Sequence, residues 1–554
     1  MPSDVARSLP ASSPLAGSPT ARPRHLRLVA LVDGVHGFAL LIVLVSTVVS
    51  ILIYDRSWWV DVIFDDGYYY LGIARGLAEQ ARSWFLPPFE TNGYQPLWQM
   101  ILWASAVLFG TSDGSLAIQA FAMNVMAVVL FCAASRVFYG VLAPAVLAAF
   151  HFTLVSLYGM ETALLPVLVL CYFNTRDWRV RGGLATLMFF TRLDALALIV
   201  AYDLVNGVRD RRLSVRHYVV LIPAAAAYAI LNVALFGVPV PVSGLVKAIG
   251  NARGENLGVV LTFAASLKYP LIAAGIVVLS AGLNRTWPQI LCRREMAALL
   301  IAYAVSATYY GVNSGWGVWG WYFWPAMLLD FYLLLNLVNV LASSVRTRGS
   351  PSDFRVLLPL AACLVLVLRP VHFAWDRVAM ALGPTHGYTD RKTSGIQNIA
   401  LIEAIRSRAF PDETYFAMGD RAGSFGFFLG HRYRFLHTEG LVGPVAYYQA
   451  MRDDRGGDFV QAQPIDYLVT DRTAYLTDGD VLGVIEPVQG ISAHRGPYML
   501  CFPKSAIALQ QTYIGGQRYL FDFKKRIPCP ASLERRFVEL RARPNGVRDF
   551  SVSW

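Results

Sequence analysis

The chain has 554 residues, of which 55% are hydrophobic and only 15% charged, with a mean hydropathy of +0.45. Soluble domains carry roughly 25% charged residues, so this composition excludes a soluble globular enzyme, a disordered chain and a fibrous one. The 48 basic and 37 acidic residues leave a net charge of +11. In a membrane protein that excess is first tested as an orientation signal in the cytoplasmic loops, ahead of any nucleic-acid footprint.

Residues 1–35 begin in a run rich in Ser, Pro, Ala and Arg and read as a disordered cytoplasmic tail. The apolar run Gly37 to Tyr54 is long enough to span a bilayer. It leads into Trp58-Trp59 with no small-residue cleavage site, so it reads as an anchor. Further spans are predicted at about 116–135, 141–157, 162–174, 217–237, 264–283, 296–312, 322–342 and 356–370. Residues 96–110 are apolar but short, and Arg192 and Asp194 interrupt 183–206. The positive-inside tendency treats both segments differently from simple spans. Reading 96–110 as a re-entrant or interfacial helix puts Arg136, Arg176, Arg179 and Arg181 inside; splitting 183–206 in two near Arg192-Leu193-Asp194 puts Arg209, Arg211, Arg212 and Arg216 inside. The sum is a polytopic α-helical membrane protein with about eleven crossings, N-terminus in and C-terminus out.

Two external regions follow from this topology. One is the first loop, 55–115, within a membrane module of residues 36–375. The other is a C-terminal extracytoplasmic domain, 376–554, where short apolar runs such as Tyr415–Met418 and Tyr467–Thr470 alternate with Gly, Asp and Pro. That alternation predicts a small α/β domain. Cys501 and Cys529 lie in it and could pair outside the cytoplasm.

The first loop opens with Phe64-Asp65-Asp66-Gly67-Tyr68-Tyr69-Tyr70. Tyr70, Ile73, Ala74 and Leu77 fall at helical spacing, predicting an amphipathic helix along the membrane surface. Asp65 and Asp66 at its start could simply cap it and match its dipole. Two adjacent carboxylates on the outer face are equally suited to take a proton from a hydroxyl. In Glu90-Thr91-Asn92-Gly93-Tyr94-Gln95-Pro96-Leu97-Trp98, Asn92 and Gln95 are candidate substrate contacts, or parts of an ordinary turn. Glu161 in Gly159-Met160-Glu161-Thr162 reaches the same face. Arg192 and Asp194 are ionisable groups in an apolar stretch, hence functional or paired with each other or with Glu161. Lys247, after a Pro-rich turn, could meet a phosphate or stand in solvent. Trp319, Trp321 and Tyr322 could stack on a sugar or isoprenoid, or form an interfacial belt.

The Asp-Asp-Gly at the start of the first external loop, followed by a helix carrying Arg75 and Leu77, resembles the GT-C fold of membrane glycosyltransferases. The stretch Thr91 to Trp98 is similar to a motif of bacterial members in which a His commonly stands at the place of Gln95. Gly159-Met160-Glu161-Thr162, Thr191-Arg192-Leu193-Asp194, the Tyr322 segment, Gly423, Gly426 and Glu439-Gly440-Leu441 also look like this group. The Asp-Asp-Gly helix is most similar to bacterial arabinofuranosyltransferases.

The resemblance implies inverting transfer of a sugar from a polyprenyl phosphate to an acceptor hydroxyl on a glycan, lipid or protein, at the outer face of a bacterial cytoplasmic membrane. Asp66 or Asp65 would be the base. Tyr69, Arg75, Asn92, Gln95, Glu161, Asp194, Trp319 and Tyr322 would bind substrate, and Arg192 and Lys247 would meet the phosphate. Asp65, Asp66 and Glu161 could hold one divalent cation, as in the oligosaccharyltransferase branch. A transporter or flippase with Arg192 and Asp194 on its path, and a non-catalytic cell-envelope scaffold, are the competing classes. Against the first, no inverted repeat is visible.

Overall fold

A computed structural model describes residues 33–45 except 39 and 43, then 59–60, 63–151, 159–249, 257–284, 292–314, 318–348, 394–419, 421–471, 475–486, 497–513 and 516–542. Most of the expected tail, most of the first anchor and the span expected at 356–370 lie outside the described residues, as does the 375/376 domain boundary. Four described helices are long and apolar enough to cross a membrane: Asp113–Tyr139, Tyr218–Phe236, Arg293–Asn313 and one running through Gly320–Val340. A fifth is possible if Gly258–Ser266 and Lys268–Leu279, bent by 41°, form one span. The eleven crossings therefore stay an expectation.

The segment 183–206 is broken where its charges interrupt it. One helix, Trp178–Thr191, ends at Arg192 in an extended conformation, and a short turn Leu193–Ala195 leads into the helix Leu196–Asp210. The short apolar segment forms the helix Pro96–Phe109, with proline at its first position, where the missing N–H costs nothing.

The described part of the C-terminal region is an α/β unit, as expected. Strands β1 (Tyr415–Met418), β2 (Arg434–His437), β3 (Tyr467–Asp471), β7 (Ile507–Tyr513) and β8 (Gly516–Asp522) form one sheet in the order β2-β1-β3-β8-β7. The first three are parallel, and β8 and β7 continue antiparallel. A smaller antiparallel sheet contains β4 (Tyr475–Asp478), β5 (Val481–Glu486) and β6 (Tyr498–Pro503). Cys501 and Cys529 form a disulfide that ties β6 to the segment before the helix Ala531–Ala542.

The expected helix forms as Asp65–Gln80. Its stretch from Gly67 to Gly76 is buried on all sides, while Glu79 and Gln80 at its end are exposed. The helix Ala422–Leu429 of the C-terminal region packs on it, with Phe427 and Phe428 against Tyr68 at 5.2 and 5.5 Å between ring centres. Phe85 meets Tyr69 edge-on at 5.3 Å. Periodicity detected the helix but not the second domain that covers its other face.

Two glycines lie where the N-terminal helices and the C-terminal region meet. A Cβ on Gly93 would overlap the Leu441 carbonyl oxygen, and one on Gly423 would overlap the carbonyl oxygen of Asp65. Both obstacles are backbone, which cannot rotate away. Gly93→Ala and Gly423→Ala are each expected to destabilise by about 1–3 kcal/mol, the usual cost of overpacking. A thermal-unfolding midpoint unchanged from wild type would refute that close approach.

Candidate active site

The carboxyl end of β2 and the helix that follows β1 meet the Asp65–Gln80 helix, through the contacts of His437 with Tyr69 and of Gly423 with Asp65. Beside this seam lies a cavity of about 500 Å³, counted with the solvent at its open mouth, and lined by Asp66, Tyr69, Tyr70, Gln95, Glu161, Arg192, Lys247, Trp321 and Tyr322, among others.

The two adjacent aspartates have different surroundings. Asp65 accepts hydrogen bonds from the backbone N–H of Gly423 and Ser424, at 2.8 and 2.9 Å, and from the Ser424 hydroxyl at 3.0 Å. It therefore caps the helix Ala422–Leu429 of the other region, where a carboxylate meets the positive end of the dipole. The expectation that it caps its own helix is not met, since the Asp65–Gln80 helix has no side-chain cap bond; the helix it caps is remote in sequence. Asp66 points into the cavity. Burial pushes its carboxyl up to about 6, Asp65 and Glu161 add to the rise, and Lys247 opposes it.

Glu161 is placed by a small polar frame. Gly159 turns the chain with φ +81°, its N–H donates to Asn124 Oδ1 at 2.6 Å, and its carbonyl accepts from Trp98 Nε1 at 3.0 Å. Glu161 then accepts from the Tyr70 hydroxyl at 3.0 Å and from Arg192 Nη1 at 2.9 Å. Arg192 forks onto Asp194 with two bonds of 3.0 Å, and the Tyr310 hydroxyl donates to the same carboxylate at 3.0 Å. Both pairings foreseen for Arg192 thus exist together, and its positive charge is answered twice. Tyr322 lies under the guanidinium at 5.0 Å.

Lys247 ends the short helix Val242–Lys247 and donates to the Tyr322 hydroxyl at 3.0 Å. Burial works against its charge, but Tyr322 and Asp66 outweigh that and hold its ammonium up at about 12. The cavity therefore sets an elevated carboxyl and a firmly charged ammonium within reach of each other's fields, next to aromatic rings. Trp321 stacks on Trp319 at 6.0 Å between ring centres, and Trp319 is half exposed.

No family model matches the sequence, and no curated protein matches it. Among solved structures, ArnT from Cupriavidus metallidurans bound to undecaprenyl phosphate is similar, with 13% identity and a TM-score of 0.43 over 79% of this chain and 93% of that one. The apo state of the same protein gives 15% identity and a TM-score of 0.42 over the same shares. At that similarity the cavity's own residues must carry any functional argument.

Several sequence-predicted residues stand elsewhere. Arg75 is a buried clamp: it donates to the carbonyls of Thr111 and Phe427, each at 3.1 Å, and to Asp113 at 2.6 Å, with its charge over the Phe427 ring. Asn92 ties its loop to the Asn232 amide and to the backbone of Val240 and Val242. Neither lines the cavity. Asp194 acts through Arg192. Among the described residues no group of three or more His, Cys, Asp or Glu side chains is arranged to hold a metal ion. The suggested set does not assemble, since Asp65 turns to its helix cap and Glu161 to Tyr70 and Arg192. Gln95 does line the cavity, and its Oε1 is buried without a partner among the described residues. Sequence reasoning missed Tyr70 as the link to Glu161, and it missed Ser243 and His437, while Leu441 was marked only through its resemblance. Only spatial proximity reveals Ser243 and His437.

Proposed function

We propose that this protein is an integral-membrane glycosyltransferase of the GT-C type, moving a sugar from a polyprenyl phosphate to an acceptor hydroxyl. One observation carries the reading: the Asp66 carboxyl, raised to about 6, shares a cavity with the Lys247 ammonium and the Trp321 and Tyr322 rings. The acceptor oxygen attacks the anomeric carbon as Asp66 takes its proton. The bond from that carbon to the phosphate oxygen breaks, and its electron pair leaves on the phosphate. Lys247 stabilises that charge. The ring faces of Trp321 and Tyr322 hold the sugar or the lipid near it. Attack opposite the leaving phosphate inverts the anomeric centre.

Arg192, with its charge neutralised by two carboxylates, is better suited to fixing the cavity than to binding phosphate. The Cys501–Cys529 disulfide supports an external C-terminal region, since such bonds persist in oxidising compartments.

Purified protein incubated with a panel of polyprenyl-phosphate sugars, arabinofuranose among them, tests the reading. Release of polyprenyl phosphate that depends on acceptor supports it; a donor left intact by every acceptor sinks it. The rate should also depend on pH in a stated direction. A base works only unprotonated, so kcat/KM should fall about tenfold per pH unit below about 6. A flat profile down to pH 4.5 would remove Asp66 from that role.

A further inference from the structure

We propose that His437, the last residue of β2, is a positioning residue of this active site, holding the Tyr69 hydroxyl at the cavity wall beside Asp66. The proposal rests on the transferase reading of the cavity. It extends that reading by making the C-terminal region part of the catalytic apparatus.

Tyr69 lies one helical turn after Asp66 on the same face, and both line the cavity. Its hydroxyl is 2.9 Å from His437 Nε2, and the two rings meet edge-on at 4.9 Å. Phe85 closes the other side of the tyrosine ring. The phenol is thus held at both its ring and its oxygen, and the imidazole offers the oxygen a directional bond from the C-terminal region. The residues that follow lie close by. Glu439 Oε2 is 3.6 Å from the same Nε2, beyond hydrogen-bond reach, and Leu441 lines the cavity against Gly93. The chain leaving β2 therefore touches the Tyr69 hydroxyl at His437 and reaches the cavity wall at Leu441.

The imidazole is retained at a cost. Burial holds it neutral, lowering its titration to about 3. Its Nδ1 is buried without a partner among the described residues. An unpaired buried nitrogen destabilises, and a phenylalanine would avoid that. What the imidazole alone supplies is the Nε2 contact to Tyr69. A ring displaced by even an ångström next to the reacting atoms can cost two orders of magnitude in rate.

The test is a double-mutant cycle on the full-length protein in detergent, with the most active donor of the panel. His437→Phe and Tyr69→Phe should each lower kcat/KM about tenfold to a hundredfold. The double variant should be no slower than the slower single one, and His437→Gln should recover part of the loss. Additive losses, or wild-type kinetics for His437→Phe with only a lower unfolding midpoint, would overturn the proposal. The contact itself is read without turnover by placing 3-fluorotyrosine at position 69. His437→Phe should move its fluorine resonance, and an unmoved resonance refutes the contact. If wild-type protein is inactive toward the whole panel, the transferase reading fails, and the resonance alone then decides whether His437 holds Tyr69.

Discussion

Asp66→Asn is expected to abolish turnover and at the same time raise the thermal midpoint. General-base catalysis contributes about 10²–10⁴-fold, so the residual rate should fall by at least that range. The stability effect has the opposite sign. The Asp66 carboxyl titrates at about 6 in the folded protein against an ordinary 3.8, so the folded state binds this proton more tightly than the unfolded state. The ionised carboxylate is therefore a cost to folding, present above about pH 6 and absent below the unfolded value. At neutral pH, removing it should stabilise by on the order of 2 kcal/mol. Below pH 4 the gain should vanish. Inactivation accompanied by a lower midpoint at pH 7.5 would mean that Asp66 holds the fold and is no poised base. The corresponding change at its neighbour, Asp65→Asn, should lower stability, since Asp65 caps a helix.

Arg192→Met should be the most destabilising single change in the site, by about 3–5 kcal/mol. It strands two carboxylates: among the described residues, Glu161 keeps only the Tyr70 hydroxyl and Asp194 only that of Tyr310. Arg192→Lys keeps the charge but lacks the planar fork that serves Asp194 with two nitrogens while a third reaches Glu161. It should recover less than half of the loss. In the double variant Arg192→Met, Glu161→Gln one stranded charge is gone, so its midpoint should lie above that of Arg192→Met alone. Independent, additive losses across this pair would show that the network is not one unit.

The local signals were readable because each depends on neighbours in sequence. The proline at 96, the apolar run after it, and the charges that interrupt 183–206 marked one helix start and one helix break. The pair Asp65-Asp66 drew attention to the helix that borders the cavity. Sequence adjacency could not separate the two carboxylates, because they point in different directions: one meets the N-terminus of Ala422–Leu429, the other an open cavity. Arg75 and Asn92 looked like ligand contacts for the same reason. A polar residue in an apolar loop reads alike whether it will meet a substrate or satisfy buried backbone.

By itself, then, the sequence pointed to a membrane-embedded chain, since 15% charged residues is well short of a soluble surface, and it named the few ionisable groups worth following. Tertiary structure alone decided which of them keeps chemical freedom. Arg192, Glu161 and Asp194 neutralise one another, Asp65 is spent on a helix cap, and Asp66 is left facing Lys247 across a cavity. The reason is physical: titration and reactivity depend on burial and on charges a few ångströms away. Those neighbours come from helices and strands up to about 360 positions apart, which only folding brings together.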